Sequence, residues 1–444
     1  MQATAILLAA GLGTRMKSAL PKTLHKIAGR SMLRHLIASC ETVFDKIVVV
    51  LGPDMDPVAH AAAPHVCVVQ HERLGTAHAA LQAVDHFGTG EVAILYADNP
   101  LIRAETLRRL LDRRRAGDAG LALLAFRPAD PAKYGRVVAH DGTVERIVEW
   151  ADATESERAI GLCNAGVLCA QGGDMARWLR AVDDKNAKRE FYLTDAVALA
   201  RADRVRVAAV EAPPEELSGV NSRAELAVAE ATVQSWLRRA AMDAGVTMID
   251  PASVFLRADT AFEPDVTIEP NVVFGDGVKI ARGATIRAFS HLEGCDIGPD
   301  CVIGPFARLR PGTILDRDVH IGNFVEVKAS QLAAGVKASH LTYLGDTSVG
   351  AATNIGAGTI TCNYDGYFKH RTAIGARAFI GSGTALVAPV TVGDGAIIAA
   401  GSTITEDVEP DALVFARSRQ VQKSGRATAM RAAAEKRKRG RCVE

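Results

Sequence analysis

The chain has 444 residues, of which 48% are hydrophobic and 23% charged, and its formal net charge is +1. This length allows two or three domains, and the composition is that of an ordinary globular protein rather than a disordered or fibrous one. No apolar stretch is long enough to span a membrane, and the first residues do not resemble a signal peptide. Eight cysteines without a CxxC pair argue against a disulfide framework or a zinc site. We therefore expect a cytoplasmic protein.

The first half of the chain alternates strand-like and helix-like segments. Apolar runs at 4–10, 46–51, 65–70 and 92–96 alternate with helix-forming stretches that include 31–40 and 76–86. This alternation predicts a mostly parallel sheet with helices on both faces. Ligands of such sheets bind beyond the carboxyl ends of the strands, where Gly11, Gln70 and Asp98 fall. A single helix at 224–245 is expected to connect the two halves of the chain.

The second half carries a repeat with a period of six residues. It begins at Val266 and changes phase before its two longest runs of branched aliphatic residues, which are Ile297, Ile303, Leu309, Leu315, Ile321 and Val327, and Ile374, Ile380, Leu386, Val392, Ile398 and Ile404. Hexapeptide repeats are typical of parallel β-helices. Gly304, Gly322 and Gly356 follow aliphatic positions, and we expect them at corners that require a positive φ.

A polar segment interrupts the repeat between the two long runs. It contains His340, Tyr343, Asn354, Asn363, Tyr364 and Lys369. A stacking coil does not need such residues, so the interruption is the natural place for chemistry.

A glycine-rich turn follows the first predicted strand, with the sequence LAAGLGTRM at 8–16. Its glycines would let backbone N–H groups approach phosphate oxygens, and a helix N-terminus would add a favourable dipole. Arg15 and Lys22 could neutralise a triphosphate and a pyrophosphate leaving group, although spacing alone is equally compatible with surface charges. The turn is neither a dinucleotide fingerprint, because Met16 replaces its third glycine, nor a Walker motif.

The first 225 residues resemble the sugar-1-phosphate nucleotidyltransferases, with two departures at Ala97 and Lys133. The resemblance implies a Rossmann-like α/β uridylyltransferase domain at 1–223, with Arg15 and Lys22 as catalytic cations and Asp98 and Asn221 as Mg²⁺ ligands. The implied residues for binding UTP and UDP-N-acetylglucosamine are Leu8, Ala9, Ala10, Gly11, Lys22, Gln70, Gly75, Thr76, Tyr96, Ala97, Asp98, Gly135, Glu149, Asn164 and Asn221.

The motifs of the second half are long: ARLRPG at 307–312, GNFVEVK at 322–328, HLTYLGD at 340–346 and NIGAGTITCNYDG at 354–366. Together with the first half, they resemble the bifunctional family of N-acetylglucosamine-1-phosphate uridylyltransferase/glucosamine-1-phosphate acetyltransferases. The resemblance implies a left-handed parallel β-helix at 246–415, a homotrimer with acetyl-transfer sites at subunit boundaries, and four substrates: UTP, N-acetylglucosamine-1-phosphate, glucosamine-1-phosphate and acetyl-CoA.

The chemistry of the acceptor agrees with these motifs. An amino sugar phosphate needs cations near its phosphate, which Arg310 and Lys328 could supply, and a base near its amine. His340 has the intrinsic pKa for that role, while Tyr343 and Asn354 could hydrogen-bond the sugar. The role of Glu326 is open. By resemblance Lys369 also binds the acceptor, and the implied contacts of acetyl-CoA are Ala357, Asn363, Tyr364, Ser382, Ala400 and Arg417.

Two other hypotheses were weighed. The chain could be a single-activity nucleotidyltransferase whose β-helix only oligomerises it, but the polar interruption argues against this. The tail at 416–444 holds ten Lys and Arg residues against two Glu, which could attract an anionic partner such as nucleic acid. The absence of aromatic residues after Phe415 favours the alternative, a solvated and frayed terminus.

Overall fold

The computed structural model describes residues 2–441, and they form two compact units. The first unit contains the chain up to Ala241 together with Leu256–Ala258, and the second contains Met242–Phe255 and the chain from Asp259 onward. Among the described residues, no helix has both the length and the apolarity that a membrane span requires.

The first unit is built on one large sheet and a separate small sheet formed by its second and third strands. Its strands are β1 (Ala3–Leu8), β2 (Lys26–Ile27), β3 (Arg30–Ser31), β4 (Lys46–Leu51), β5 (Val66–Val69), β6 (Glu91–Tyr96), β7 (Leu121–Phe126), β8 (Arg136–His140), β9 (Thr143–Val148), β10 (Cys163–Gln171) and β11 (Val207–Glu211). Its helices are α1 (Met32–Glu41), α2 (Asp56–Ala62), α3 (Thr76–Leu81), α4 (Ala104–Arg115), α5 (Glu155–Arg158), α6 (Gly172–Ala181), α7 (Asp195–Ala202), α8 (Pro214–Leu217) and α9 (Arg223–Asp243), the last of which continues to Asp243 in the second unit.

The sheet has the mostly parallel topology that the sequence predicted. Its strands run in the order β11-β7-β10-β6-β1-β4-β5, and β10 is antiparallel to both of its neighbours. Alternate residues of β1 enter different cores: Ala5 and Leu7 pack on one face of the sheet and Ile6 on the other. Because both faces are covered, the strand is apolar throughout.

The glycine-rich turn at 8–16 differs from the prediction, because no α-helix begins there. Thr14–Met16 forms a single 3₁₀ turn, bounded by Gly13 and Lys17, which both adopt left-handed conformations with φ of 62° and 49°. Left-handed residues interrupt an α-helix. The turn therefore offers backbone N–H groups but not the dipole of a full helix.

The second unit consists of short parallel strands. They are β12 (Thr247–Met248), β13 (Ala261–Phe262), β14 (Thr267–Ile268), β15 (Val273–Phe274), β16 (Lys279–Ile280), β17 (Thr285–Ile286), β18 (His291–Leu292), β19 (Cys295–Ile297), β20 (Val302–Ile303), β21 (Arg308–Leu309), β22 (Thr313–Leu315), β23 (His320–Asn323), β24 (Glu326–Lys328), β25 (Gln331–Leu332), β26 (Lys337–His340), β27 (Tyr343–Gly345), β28 (Thr347–Val349), β29 (Asn354–Ile355), β30 (Ile360–Cys362), β31 (Thr372–Ile374), β32 (Phe379–Ile380), β33 (Ala385–Val387), β34 (Val390–Val392), β35 (Ile397–Ile398), β36 (Thr403–Ile404) and β37 (Leu413–Val414).

These strands form three parallel sheets that wrap around a common interior. Each sheet takes every third strand, so residues of neighbouring coils pair at a spacing of three hexapeptides, as Ile303 pairs with Ile321. All twelve aliphatic residues of the two long runs are buried. The repeat therefore fills the interior of the coil, as the period predicted.

The glycines that follow aliphatic residues are needed for two different reasons. Gly304 has a positive φ of 96°, as expected. Gly322 and Gly356 do not adopt a positive φ, so the prediction was wrong for them. A Cβ on Gly322 would lie 1.9 Å from the carbonyl oxygen of Ser339, and one on Gly356 would lie 2.6 Å from that of Ile380. At both positions it is the backbone of the next coil that excludes a side chain.

The basic tail is more ordered than the composition predicted. Arg426–Arg441 forms helix α10, in which all side chains described, up to Arg439, are exposed. Residues 442–444 of the predicted tail lie outside the described part of the chain.

Candidate active sites

A cavity of about 450 Å³ opens beyond the carboxyl ends of β1 and β6. It brings together the three residues expected there from the topology, Gly11, Gln70 and Asp98. The other predicted residues in its wall are Leu8, Ala9, Ala10, Arg15, Lys22, Gly75, Thr76 and Tyr96. Sequence reasoning missed Arg73, Lys188 and Glu190, which also line it. The Arg73 Nε donates to the Ala10 carbonyl at 2.9 Å, so this side chain supports the glycine-rich turn.

Two oxygen atoms converge on one cation in this cavity. The Lys22 Nζ lies 2.5 Å from Asp98 Oδ2 and 3.0 Å from Asn221 Oδ1, and Arg15 also donates to Asn221 Oδ1, at 2.7 Å. Asp98 and Asn221 are distant in sequence, yet both of their oxygens can contact a single positive group. A carboxylate and an amide oxygen are hard donors of the kind that Mg²⁺ prefers, and Mg²⁺ completes its shell with water and phosphate oxygens. The residues therefore fit a divalent cation.

The Gln70 and Gly75 pair forms a rigid wall of the cavity. Gln70 is buried, and its Nε2 donates to the Gly75 carbonyl at 3.1 Å. Gly75 has a φ of 126°, and a Cβ there would lie 2.4 Å from the carbonyl oxygen of Phe191. Only glycine fits both the conformation and the contact.

A second group of predicted residues lies beside Tyr96. The Asn164 N–H donates to the Gly135 carbonyl at 2.9 Å, and a Cβ on Gly135 would lie 3.5 Å from Glu149 Oε1, so the three residues are neighbours. Burial raises the pKa of Glu149, although a hydrogen bond from Thr194 Oγ1 at 3.2 Å opposes this shift. These groups present a carboxylate and amides suited to sugar hydroxyls. Ala97 differs from the other predicted residues because its side chain is fully buried in the core.

In the second unit, the polar interruption forms a cluster of cations around one carboxylate. Lys328 Nζ lies 3.4 Å from Asp346 Oδ2. Lys369 contacts Lys328, and this neighbouring ammonium lowers the pKa of Lys369. Arg310 pairs with Glu326 at 2.8 Å. Adjacent cations of this kind are suited to the charge of a phosphate group.

Asp346 also reaches the loop at 363–370. Its Oδ2 accepts a hydrogen bond from Asn363 Nδ2 at 2.5 Å. Gly345 makes room for this contact, because a Cβ there would lie 2.3 Å from the Tyr343 hydroxyl and 2.8 Å from Asn363 Nδ2. Sequence reasoning gave Asp346 no role, and only the stacking of the coils brings it between Lys328 and Asn363.

One corner of the coil collects the predicted base and three of the residues predicted to bind acetyl-CoA. Successive coils contribute one residue each to this corner, and backbone hydrogen bonds link the coils there. We call it the His340 corner, and its members are Asn323, His340, Ala357, Ser382 and Ala400. Arg417 lies at its end, with Cδ 3.8 Å from the position of a Cβ on Gly401. Asn354 lies on β29, the strand that pairs with the strand of His340. Tyr364 and Lys369 face each other across the loop at 363–370, and Tyr364 is exposed.

The residues that directly follow the members of this corner change from large and apolar to glycine along the coil. Phe324 and Leu341 follow Asn323 and His340, whereas Gly358, Gly383 and Gly401 follow the next three members. All five have a positive φ. Beyond His340 the apolar side chains thus give way to three glycines, Gly358, Gly383 and Gly401, which we call the glycine row.

The two sites define the class of the protein: a nucleotidyltransferase domain followed by an acyltransferase of the hexapeptide type. The family model of the MobA-like NTP transferase domain matches residues 5–162, and that of the bacterial transferase hexapeptide matches 294–329 and 371–406.

Relatives match over nearly the whole chain. The bifunctional protein GlmU of Acidiphilium cryptum is 63% identical over 431 residues, which cover 97% of this chain and 99% of the relative. The GlmU proteins of Gluconacetobacter diazotrophicus and Granulibacter bethesdensis are 62% and 63% identical, covering 98% and 96% of this chain and 95% and 96% of their own. The chain belongs to the GlmU family, and its second unit is a left-handed parallel β-helix.

Proposed function

We propose residue roles for the two reactions of this bifunctional enzyme. The chain transfers an acetyl group from acetyl-CoA to glucosamine-1-phosphate, and a uridylyl group from UTP to N-acetylglucosamine-1-phosphate, with release of pyrophosphate. The product is UDP-N-acetylglucosamine, a precursor of peptidoglycan and lipopolysaccharide. The observation that carries the assignment is that each unit has its own group of polar residues: a cavity with Arg15, Lys22 and Asp98 in the first, and His340 with the cation cluster on the coil of the second.

In acetyl transfer, we assign His340 as the base that takes a proton from the amine of the acceptor. The amine then attacks the thioester carbonyl, and coenzyme A leaves as the thiol. Lys328, Lys369 and Arg310 bind the phosphate of the acceptor, and Tyr343 and Asn354 bind its sugar. The cation cluster supports this placement, because its three cations outnumber Asp346 and Glu326, the two carboxylates that contact them.

The glycine row, Gly358, Gly383 and Gly401, is the proposed path of acetyl-CoA. It begins next to His340 and runs past Ala357, Ser382 and Ala400 toward Arg417, whose guanidinium suits a phosphate of coenzyme A. Asn363 and Tyr364 belong to the neighbouring loop and complete the list of proposed donor contacts.

In uridylyl transfer, a phosphate oxygen of the sugar phosphate attacks the α-phosphorus of UTP. A phosphate monoester is already a nucleophile, so orientation and charge neutralisation carry the step. Arg15 and Lys22 bind the phosphates, the Gln70 and Gly75–Thr76 wall binds the base, and Gly135, Glu149 and Asn164 bind the sugar. Leu8 to Gly11 and the backbone near Ala97 would contact the nucleotide.

Mg²⁺ is the proposed cofactor, held by Asp98 and Asn221. When bound, it neutralises charge on the triphosphate and on the departing pyrophosphate. Because Lys22 contacts both of these oxygens, we expect it to turn toward the phosphates when a cation takes its place.

A homotrimer is the proposed assembly. Its support is an apolar ridge on the coil that consists of Phe289, Phe306, Phe324 and Leu341. These side chains are about half exposed, and the first three stack with ring centroids 4.9 and 5.2 Å apart. A continuous apolar ridge of this kind is typical of a surface covered by another subunit. The substrates UTP and acetyl-CoA favour a cytoplasmic location. Nucleic acid is not a proposed partner.

The test measures both reactions on the same preparation. His340→Ala should abolish the release of thiol from acetyl-CoA with glucosamine-1-phosphate and leave the release of pyrophosphate from UTP intact, whereas Lys22→Ala should do the opposite. His291→Ala, an exposed histidine elsewhere on the coil, is the matched control and should change neither. If the wild-type protein releases no thiol, the acetyltransferase assignment is wrong and the β-helix serves only to oligomerise the chain.

A further inference from the structure

The motif at 322–328 contains one polar side chain to which no role has been given, Asn323. We propose that Asn323 is a positioning residue that fixes the ring and the tautomer of His340 so that Nε2 is the free base. The proposal rests on the acetyl-transfer function assigned above, and it adds the residue through which the base is made ready.

The two side chains meet because of the register of the coil. Strands β23 and β26 are parallel neighbours, and Asn323 pairs directly with His340. The amide Oδ1 of Asn323 lies 2.8 Å from Nδ1 of the imidazole. An amide oxygen only accepts hydrogen bonds, so in this orientation of the Asn323 amide the proton of the neutral ring lies on Nδ1. In the neutral ring, Nε2 then has the free lone pair that a general base requires.

The backbone holds both partners in place. The Leu341 N–H donates to the Asn323 carbonyl at 3.0 Å, and the Thr342 hydroxyl donates to the His340 carbonyl at 2.8 Å. Phe324, which follows Asn323, stacks on Phe306 in the apolar ridge. The side chain of His340 is itself exposed, so the hydrogen bond to Asn323 is the contact that selects one orientation of its ring.

The surroundings of the pair explain why an amide suits this position. His320 lies on the strand of Asn323 and Lys337 on the strand of His340. Burial lowers the pKa of His320, and the charges of Arg287, Lys337 and His340 lower it further. A neutral partner on Nδ1 orients the ring of His340 without placing a negative charge beside it.

Two substitutions separate orientation from charge. Asn323→Leu keeps the size of the side chain and removes the acceptor, so kcat for acetyl transfer should fall roughly 10-fold while KM for both substrates changes less than twofold. Asn323→Asp keeps an acceptor for the Nδ1 proton, so kcat at high pH should recover. Its carboxylate stabilises the imidazolium, and the acid limb of the pH–kcat profile should move up by about one pH unit.

The readouts are kcat, KM and the pH profile of thiol release, measured on the full chain. Both variants should match the wild type in uridylyl transfer and in their elution volume on size-exclusion chromatography. Asn271→Asp, at an exposed asparagine on a different coil, is the control for an added charge and should leave the acid limb in place.

An unshifted acid limb in Asn323→Asp would overturn the proposal, as would a loss in Asn323→Leu that falls on KM rather than kcat. If Asn323→Leu does not fold, the pH profile of Asn323→Asp still decides. Retained acetyl transfer in His340→Ala would instead remove the underlying assignment of the base, so the two failures are distinguishable.

Discussion

At the scale of single residues, both sites place a lysine against an aspartate. Lys22 lies 2.5 Å from Asp98, and Lys328 lies 3.4 Å from Asp346. In each pair the carboxylate holds a long, flexible lysine side chain within a proposed substrate site, which restricts the number of conformations of that side chain before the substrate binds.

Glu149 is a residue at which stability and function are in conflict. Burial raises the pKa of Glu149, so the folded state holds its proton more tightly than the unfolded state. The free energy of unfolding therefore falls as pH rises from the ordinary carboxyl pKa through the raised pKa, and the cost is complete above it. Glu149→Gln should raise the Tm at neutral pH by about 2 °C, and this gain should vanish in acid.

The same substitution should lower uridylyl transfer roughly 10-fold, because an amide accepts a weaker hydrogen bond from a sugar hydroxyl than a carboxylate does. Differential scanning calorimetry and pyrophosphate release measure the two effects. Glu145→Gln, on the exposed side of β9, is the control and should alter neither. A Tm that falls at neutral pH would contradict the argument.

At the scale of elements, the residues that follow the members of the His340 corner share a positive φ but differ in their side chains. Its positive-φ positions accept Phe324 and Leu341 as well as glycine, so glycine at 358, 383 and 401 is not required by the conformation alone. The glycine row therefore fits the path proposed for acetyl-CoA.

Gly383→Leu should place an apolar side chain within the glycine row, on the proposed path of acetyl-CoA. We expect KM for acetyl-CoA to rise at least 10-fold by steric exclusion, at a cost of about 1 kcal/mol in stability from the left-handed conformation. Gly335→Leu is a closely matched control: φ is 70° at Gly335 and 71° at Gly383, and a Cβ at either would have its nearest neighbour at 3.9 Å. Steady-state thiol release measures the effect, and equal KM values in the two variants would argue against the proposed path.

At the scale of the whole molecule, each unit has its own core and its own proposed site. The apolar ridge is the feature that calls for a second copy of the chain. Phe306→Asp should therefore reduce the mass found by light scattering from that of a trimer to that of a monomer, because a charge would have to be buried in the interface.

Acetyl transfer should fall with the loss of the trimer, and uridylyl transfer should persist. Ile314→Asp is the control on another sheet of the coil, since both side chains are 45% exposed. If Ile314→Asp dissociates the protein and Phe306→Asp does not, the interface lies on the sheet that contains Ile314.

The sequence by itself determined the architecture, because it depends on local and periodic patterns. The period of six predicted the coil, and apolar runs predicted β4 with its observed bounds and β6 to within a residue. Helix 76–86 was less accurate, since α3 ends at Leu81 and a 3₁₀ turn follows at Val84–His86. Motifs supplied most site residues, but spacing left open whether Arg15 and Lys22 were surface charges.

Only the tertiary structure decided which distant side chains share a site. Asn221 reaches Lys22 across 199 positions of sequence, and Asp346 lies between Lys328 and Asn363 because the coils stack at that register. The pairing of Asn323 with His340 has the same origin. The period of the repeat does not reveal which residues of neighbouring coils are in contact. Each side chain fits its own position in the repeat whether or not the other is present.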